Sequence, residues 1–167
     1  RGIPGLRKAQ AKYYQKRFGV ELDPEKEAVV TLGSKEGLAN LLQAITAPGD
    51  VVMVPNPSYP IHPYGSILAG ASVWHLPKGP EHDFFAQLKR AIARCVPKPI
   101  LLILNYPCNP TTEVVDLAFY EEVVDICRHH GIWIVSDLAY CEIYFDSTPP
   151  PSVLQVKGAK DIAIEFT

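Results

Sequence analysis

The sequence predicts an α/β fold, a three-layer α/β/α sandwich built on a mostly parallel sheet. Three observations carry that expectation. Residues 51–54, 100–104 and 132–135 are continuous apolar runs of strand length without polar alternation. Such strands are buried on both faces, as in a parallel sheet with helices above and below it. Segments with helical spacing of apolar residues separate these runs, and strands alternating with helices imply right-handed crossovers. The sixteen prolines are not gathered in a low-complexity tract but fall in the segments that follow the strands.

The elements follow in order. Residues 5–18 carry Leu6, Ala9, Tyr13, Tyr14 and Phe18 among Lys and Arg, which predicts an amphipathic covering helix with Pro4 in its first turn and Gly19 past its end. Ala28-Val29-Val30-Thr31-Leu32 reads as a strand of the same sheet. Gly33-Ser34-Lys35-Glu36-Gly37 then turns the chain into a helix through Leu38, Leu41, Leu42 and Ile45, ended by Pro48-Gly49-Asp50. The strand at 51–54 runs into the turn Pro55-Asn56-Pro57-Ser58-Tyr59-Pro60, a short helix at 61–68 and a strand at 71–75. A polar break at 78–83 leads to a helix at 84–93. Residues 100–104 are the expected central strand, residues 117–130 an amphipathic helix closed by Gly131, and residues 132–135 the next strand.

Composition limits the function classes. The 167 residues are 47% hydrophobic and 20% charged at net charge -2, enough for one buried core. The near-neutral balance, with no basic block, argues against a nucleic-acid partner. No apolar run approaches the roughly 20 residues that span a bilayer, and no stretch resembles a signal peptide, so a cytoplasmic protein with no membrane partner is expected. Cys95, Cys108, Cys127 and Cys141 show no CxxC spacing, and His62, His75, His82, His129 and His130 show no metal spacing. Neither a metal site nor a disulfide framework is expected, and each histidine is assigned to solvent. The absence of Met at Arg1, and a last segment, Ile162 through Thr167, that reads as a strand with no closing element, suggest a piece of a longer protein.

The chemistry is organised around Asp137, which follows the apolar run 132–135 and precedes Leu138-Ala139-Tyr140. Ligands of open α/β sheets bind outside the carboxyl ends of the strands, where such a carboxylate can hold a cationic ligand atom. It can equally start a turn or cap the next helix. Three other segments are delivered to the same edge: Gly33-Ser34-Lys35, Ser58-Tyr59 and Asn105 through Thr111. The Gly-Ser pair suits a phosphate at a helix N-terminus, although Ser34 also reads as an ordinary N-cap. Tyr59, held between prolines, can stack on a planar ligand or simply pack. Asn109 and Tyr140 each offer a polar group to a ring oxygen. Together these residues ask for a phosphate, a flat ring, a ring oxygen and a protonated ring nitrogen, and pyridoxal phosphate has all four.

At this point the sequence resembles the fold-type I, class I/II aminotransferases, in the branch of alanine and LL-diaminopimelate aminotransferases. The matching segments are Arg1-Gly2-Ile3-Pro4-Gly5-Leu6-Arg7, Gly33-Ser34-Lys35-Glu36-Gly37-Leu38, Pro55-Asn56-Pro57-Ser58-Tyr59-Pro60, Asn109-Pro110-Thr111 and Asp137-Leu138-Ala139-Tyr140, in the family's order and spacing. The resemblance implies that residues 1–167 are a partial pyridoxal-phosphate-binding large domain. It also implies that Ser34 and Lys35 hold the phosphate, Tyr59 stacks on the pyridine ring, Asn109 and Tyr140 contact its oxygen and Asp137 takes its nitrogen. Asp137 and Tyr140 are the expected catalytic residues. Substrates would be an amino acid and a 2-oxo acid, and the full-length protein would be a homodimer.

In this family the lysine that binds the cofactor covalently follows a strand ending like Ile164-Glu165-Phe166-Thr167, in a Ser-x-Ser-Lys motif. The resemblance therefore implies that this lysine and the small C-terminal domain lie outside the chain, and that the fragment alone is inactive. Lys35, Lys157 and Lys160 are poor substitutes, and Cys108, Thr112 and Glu113 are given no functional weight. Two other readings stand beside it: a non-catalytic cofactor-binding module of a regulator-type protein, and a generic nucleotide-binding domain, for which no GxGxxG or P-loop is present.

Overall fold

The computed structural model describes residues 1–167. Five strands, β1 (Val51–Asn56), β2 (Ser72–Pro77), β3 (Pro99–Asn105), β4 (Trp133–Asp137) and β5 (Ala163–Phe166), form one sheet in the order β2-β1-β3-β4-β5. Every neighbouring pair is parallel. The helices are α1 (Pro4–Phe18), α2 (Ser34–Ile45), α3 (Ile61–Leu68), α4 (Phe84–Arg94) and α5 (Leu117–His130). The expected α/β architecture is therefore observed, with helices on both faces.

Alternate residues of each strand supply two separate cores, which is why the apolar runs are continuous. Met53, Leu102, Leu104 and Ile134 pack with Leu88, Ala91 and Ile92 of α4 and with Tyr120, Val123 and Cys127 of α5. Val52, Val54, Leu101, Ile103 and Val135 pack on the other face with Leu38 and Leu42 of α2 and with Ile61. The helix ends are made by local chemistry. Asp83 accepts from the Phe85 and Ala86 N–H groups at the start of α4, and Asp116 accepts from the Phe119 N–H at the start of α5. Gly131 stands in the left-handed region at φ 67 and closes α5 as expected.

Two expectations need correction. Residues 28–32 are not a strand: β5 rather than this segment lies beside β4. Its recorded backbone bond runs from the Val30 N–H to the Arg1 carbonyl, and Val29 and Leu32 are exposed. β-branched composition suits a strand, but a strand also requires a neighbour to bond to. Of the stripe expected on helix α1, Tyr14 and Phe18 are buried and Tyr13 is half-buried, but Leu6 and Ala9 are exposed and Arg7 is buried in their place. Arg7 is withdrawn from solvent because its guanidinium donates to the Pro24 and Gly2 carbonyls and to Glu25.

The strand order reverses between β1 and β3, since the chain adds β2 on one side of β1 and then β3 on the other. In open α/β sheets ligands bind outside the carboxyl ends of the strands at such a switch point, here those of β1 and β3.

Candidate functional site

Asp137 is the last residue of β4 and lies in register with Asn105, the last residue of β3. It is buried at 5% exposure. Its Oδ2 is 3.0 Å from Nε2 of His62, which is buried at 1%. The carboxylate can only accept, so Nε2 is the donor. The other oxygen, Oδ1, is buried and has no hydrogen-bond partner. A buried acceptor without a donor is costly unless a ligand supplies one. His62 therefore holds Asp137 by one oxygen and leaves the other to a donor brought in by a ligand.

His62 is the site residue that sequence reasoning missed: the histidine assigned to solvent is among the most buried side chains. It lies on the first turn of α3, just after the loop that follows β1. The available signal was its position three residues beyond Tyr59, at the carboxyl end of a strand next to the switch point. Tyr59 packs edge-on against it, with ring centroids 6.1 Å apart. Lys35 Nζ approaches the Tyr59 ring to 5.3 Å from the centroid.

Ser34 and Lys35 open α2. The N-cap is Gly33 at φ 87, and no side-chain cap bond is made, so Ser34 is the first residue of the helix and not its N-cap. A serine hydroxyl and free N–H groups at the positive end of a twelve-residue helix suit an anion. Gly37 lets the helix approach the end of β5 closely, because a Cβ there would meet Phe166 at 2.6 Å and Thr31 at 2.8 Å.

On the other side of Asp137, Asn105 Nδ2 donates to the Asp137 carbonyl at 2.8 Å, and Asn105 Oδ1 accepts from the Asn109 N–H at 3.0 Å. Asn109 Nδ2 in turn donates to the Tyr140 hydroxyl at 3.3 Å. Asn105, one of the buried polar residues, thus fixes the Asn109 loop to the strand that carries Asp137. Asp137, Asn109 and Tyr140 are joined on one side, and Tyr59 and Lys35 connect through His62 on the other. Lys35 reaches the group by way of Tyr59, and Ser34 only as its neighbour in the chain. Asn109 and Tyr140 also line a cleft of about 1460 Å³ whose far wall includes Ile143, Tyr144 and Phe145.

A second carboxylate lies one strand away. Glu165 of β5 faces Ser136 of β4 in register and accepts from Ser136 Oγ at 2.9 Å, Tyr14 Oη at 3.0 Å, the Val153 N–H at 3.2 Å and the Ser152 hydroxyl. Withdrawal from water raises its pKa above the ordinary carboxylate value, against the lowering effect of these donors. Burial, and after it the nearby Glu165 carboxylate, pushes the Tyr14 phenol up.

The aminotransferase class I and II family model matches residues 1–167, the whole chain. The chain belongs to this family. It is 58% identical over 167 residues to aminotransferase AatC of Rhizobium meliloti, covering 100% of this chain and 41% of that protein. It is 52% identical over 166 residues to the glutamate-pyruvate aminotransferase AlaC of Escherichia coli, covering 99% of this chain and 40% of that protein. The apo structure of BacF from Bacillus subtilis superposes with a TM-score of 0.92 at 36% identity, over 99% of this chain and 44% of that one. The chain thus spans about two-fifths of the length of the curated relatives it matches. No helix is long and apolar enough to cross a membrane.

Proposed function

We propose that residues 1–167 are the cofactor-binding core of a pyridoxal-phosphate-dependent aminotransferase. The full-length protein would transfer an amino group between an amino acid and a 2-oxo acid, as a cytoplasmic homodimer. The observation that carries this reading is the buried, unpartnered Asp137 Oδ1 at the switch point, held in place through Oδ2 by His62. A protonated pyridine nitrogen is a donor that fits it.

Pyridoxal phosphate, when bound, supplies an electron sink for the substrate's α-carbon. The chain's own residues bind and orient it. Asp137 accepts from the ring nitrogen and keeps the proton there, since opposite charges about 4 Å apart attract by roughly 4 kcal/mol at an effective dielectric of 20. His62 fixes the carboxylate's direction and fills the space behind it, excluding water. Tyr59, held edge-on by His62, would stack on the ring. Asn109 and Tyr140, already paired, present an amide and a hydroxyl to the ring oxygen. Ser34, Lys35 and the start of α2 hold the phosphate by hydrogen bonds and charge.

The test is transamination by the full-length protein, assayed with pyridoxal phosphate, amino acids and 2-oxo acids, beside Asp137→Asn. Amino-group transfer that collapses in the variant is the expected result. Cofactor binding without transfer from any amino acid would overturn the enzyme reading, and transfer that is indifferent to Asp137→Asn would overturn the assignment of the site.

A further inference from the structure

Four cysteines are present, and one of them, Cys108, sets its sulfur against a cation. Lys78, just past the end of β2, is the only buried lysine, with its side chain 3% exposed. Its Nζ lies 3.0 Å from Cys108 Sγ, 2.9 Å from Glu113 Oε2 and 4.8 Å from the centroid of the Tyr106 ring. Cys108 and Glu113 begin and end one tight loop after β3. Within it the Cys108 N–H donates to the Glu113 carbonyl at 2.9 Å and the Thr112 N–H donates to the Cys108 carbonyl at 2.7 Å. Thr112 stands in the left-handed region at φ 58, a conformation that a β-branched residue takes up only when its surroundings impose it. The loop therefore holds sulfur, amine and carboxylate in fixed relation.

The site contrasts with the other thiols. Burial among apolar groups pushes the Cys127 thiol up to about 12 and raises that of Cys95, and no amine faces either. Cys108 differs in its neighbour and also in its access, because it lines the wall of the cleft of about 1460 Å³. Neither the Cys108 nor the Lys78 side chain hydrogen-bonds to the Asp137 group, although Cys108 directly precedes Asn109 in the chain.

We propose that Cys108 and Lys78 form an oxidative modification site in which the lysine amine captures the oxidised sulfur as a covalent cross-link. A hydroperoxide entering the cleft is the oxidant. The sulfur attacks its terminal oxygen: the S–O bond forms, the O–O bond breaks, and the departing oxygen leaves with the thiol proton as an alcohol or water. Sulfur has then lost two electrons and is a sulfenic acid. Lys78, having passed its ammonium proton to Glu113, attacks the sulfur with its lone pair. The N–S bond forms and the sulfenic hydroxyl leaves as water, taking up the proton that Glu113 received. The nitrogen's surplus proton passes to Glu113 and on to solvent. The sum is thiol plus lysine ammonium plus hydroperoxide giving a sulfenamide, one alcohol or water, one further water and one proton released to solvent. The 3.0 Å separation is within the range of a near-attack arrangement, so no rearrangement of the loop is needed to begin the step.

The link would staple the carboxyl ends of β2 and β3 across β1, tying down the loop that bears Asn109. A thiol reductant reopens it. Bond formation itself does not depend on the proposed transaminase activity.

The experiment treats the folded full-length protein with hydrogen peroxide, alkylates the remaining thiols, digests it and reads the peptides by tandem mass spectrometry. The expected result is a peptide pair joined between Lys78 and Cys108, its mass the sum of the two less two hydrogens, absent after thiol reduction. Lys78→Arg, which keeps the charge beside Glu113, and Cys108→Ser should each abolish the pair. The wild-type chain oxidised in denaturant should give Cys108 sulfinic acid and no pair. Cys108 recovered from folded protein as sulfinic acid with Lys78 unmodified would overturn the proposal. So would a thiol left intact at a peroxide dose that oxidises the denatured chain, or a cross-link that persists in Lys78→Arg.

Discussion

Asp137 and Glu165 are carboxylates on adjacent parallel strands, one step out of register, and their surroundings are opposite in kind. Glu165 has both oxygens occupied: Tyr14 and Ser152 donate to one, Ser136 and the Val153 N–H to the other. Asp137 has His62 on one oxygen and nothing on the other. A carboxylate whose acceptor sites are filled from within the chain is a structural tie, joining α1, β4, β5 and the turn at Val153–Gln155. A buried carboxylate left with an open acceptor is arranged for something that arrives. Hydrogen-bond accounting, rather than burial or charge, separates the two roles.

That contrast can be broken by substitution. Asp137→Asn in the full-length protein should lower kcat about 100-fold or more, the scale of losing one group aimed at charge that develops during reaction. Its melting temperature should stay close to wild type, because an amide still pairs with His62. Steady-state kinetics and circular dichroism check the two halves. A variant that melts early but turns over normally would reverse the assignment.

Glu165→Ala should do the opposite. It leaves the Tyr14, Ser136 and Ser152 hydroxyls without their acceptor, so thermal denaturation should report a loss of about 3 kcal/mol, the size expected for breaking a buried hydrogen-bond network. Transamination by the fraction that remains folded should be largely kept.

The pH dependence of stability sharpens the same point. The folded pKa of Glu165 is raised above its ordinary value of 4.5, so the folded chain holds the proton more tightly than the unfolded one. The stabilisation this contributes is complete below pH 4.5 and is lost as pH rises through the folded pKa. Denaturation midpoints measured from acid to neutral pH should therefore fall relative to Glu165→Gln, which has no such proton. A flat difference between the two proteins would mean that the donors balance burial at Glu165, and one that rises with pH would mean that they outweigh it.

The smallest effect is expected at the helix terminus. Ser34→Ala removes one hydrogen bond to a charged phosphate at a half-buried turn, and cofactor affinity measured by equilibrium dialysis should weaken by about 1.5 kcal/mol, with kcat almost unchanged. An effect as large as that of Asp137→Asn would move the centre of the site from the strand end to the helix.

The sheet was legible in the sequence because both faces of its strands are buried, and residues 51–54, 100–104 and 132–135 show it without alternation. Asp137, Asn109 and Tyr140 were legible because strand ends gather at one edge. His62 was not, because its partner is 75 residues away and no spacing rule connects them. Residues 28–32 have the composition of a strand, but composition cannot show that no neighbour offers them a ladder. Glu165 was passed over as part of the last strand. Its donors come from Tyr14, Ser136, Ser152 and Val153, four places that only the fold brings together.

The central claim is that the open oxygen of Asp137 takes a protonated ring nitrogen. Nitrogen NMR of isotopically labelled pyridoxal phosphate bound to the full-length protein reads that proton directly. The account predicts a protonated pyridine nitrogen at neutral pH in the wild type and an unprotonated one in Asp137→Asn. A nitrogen with the same shift in both proteins would contradict it.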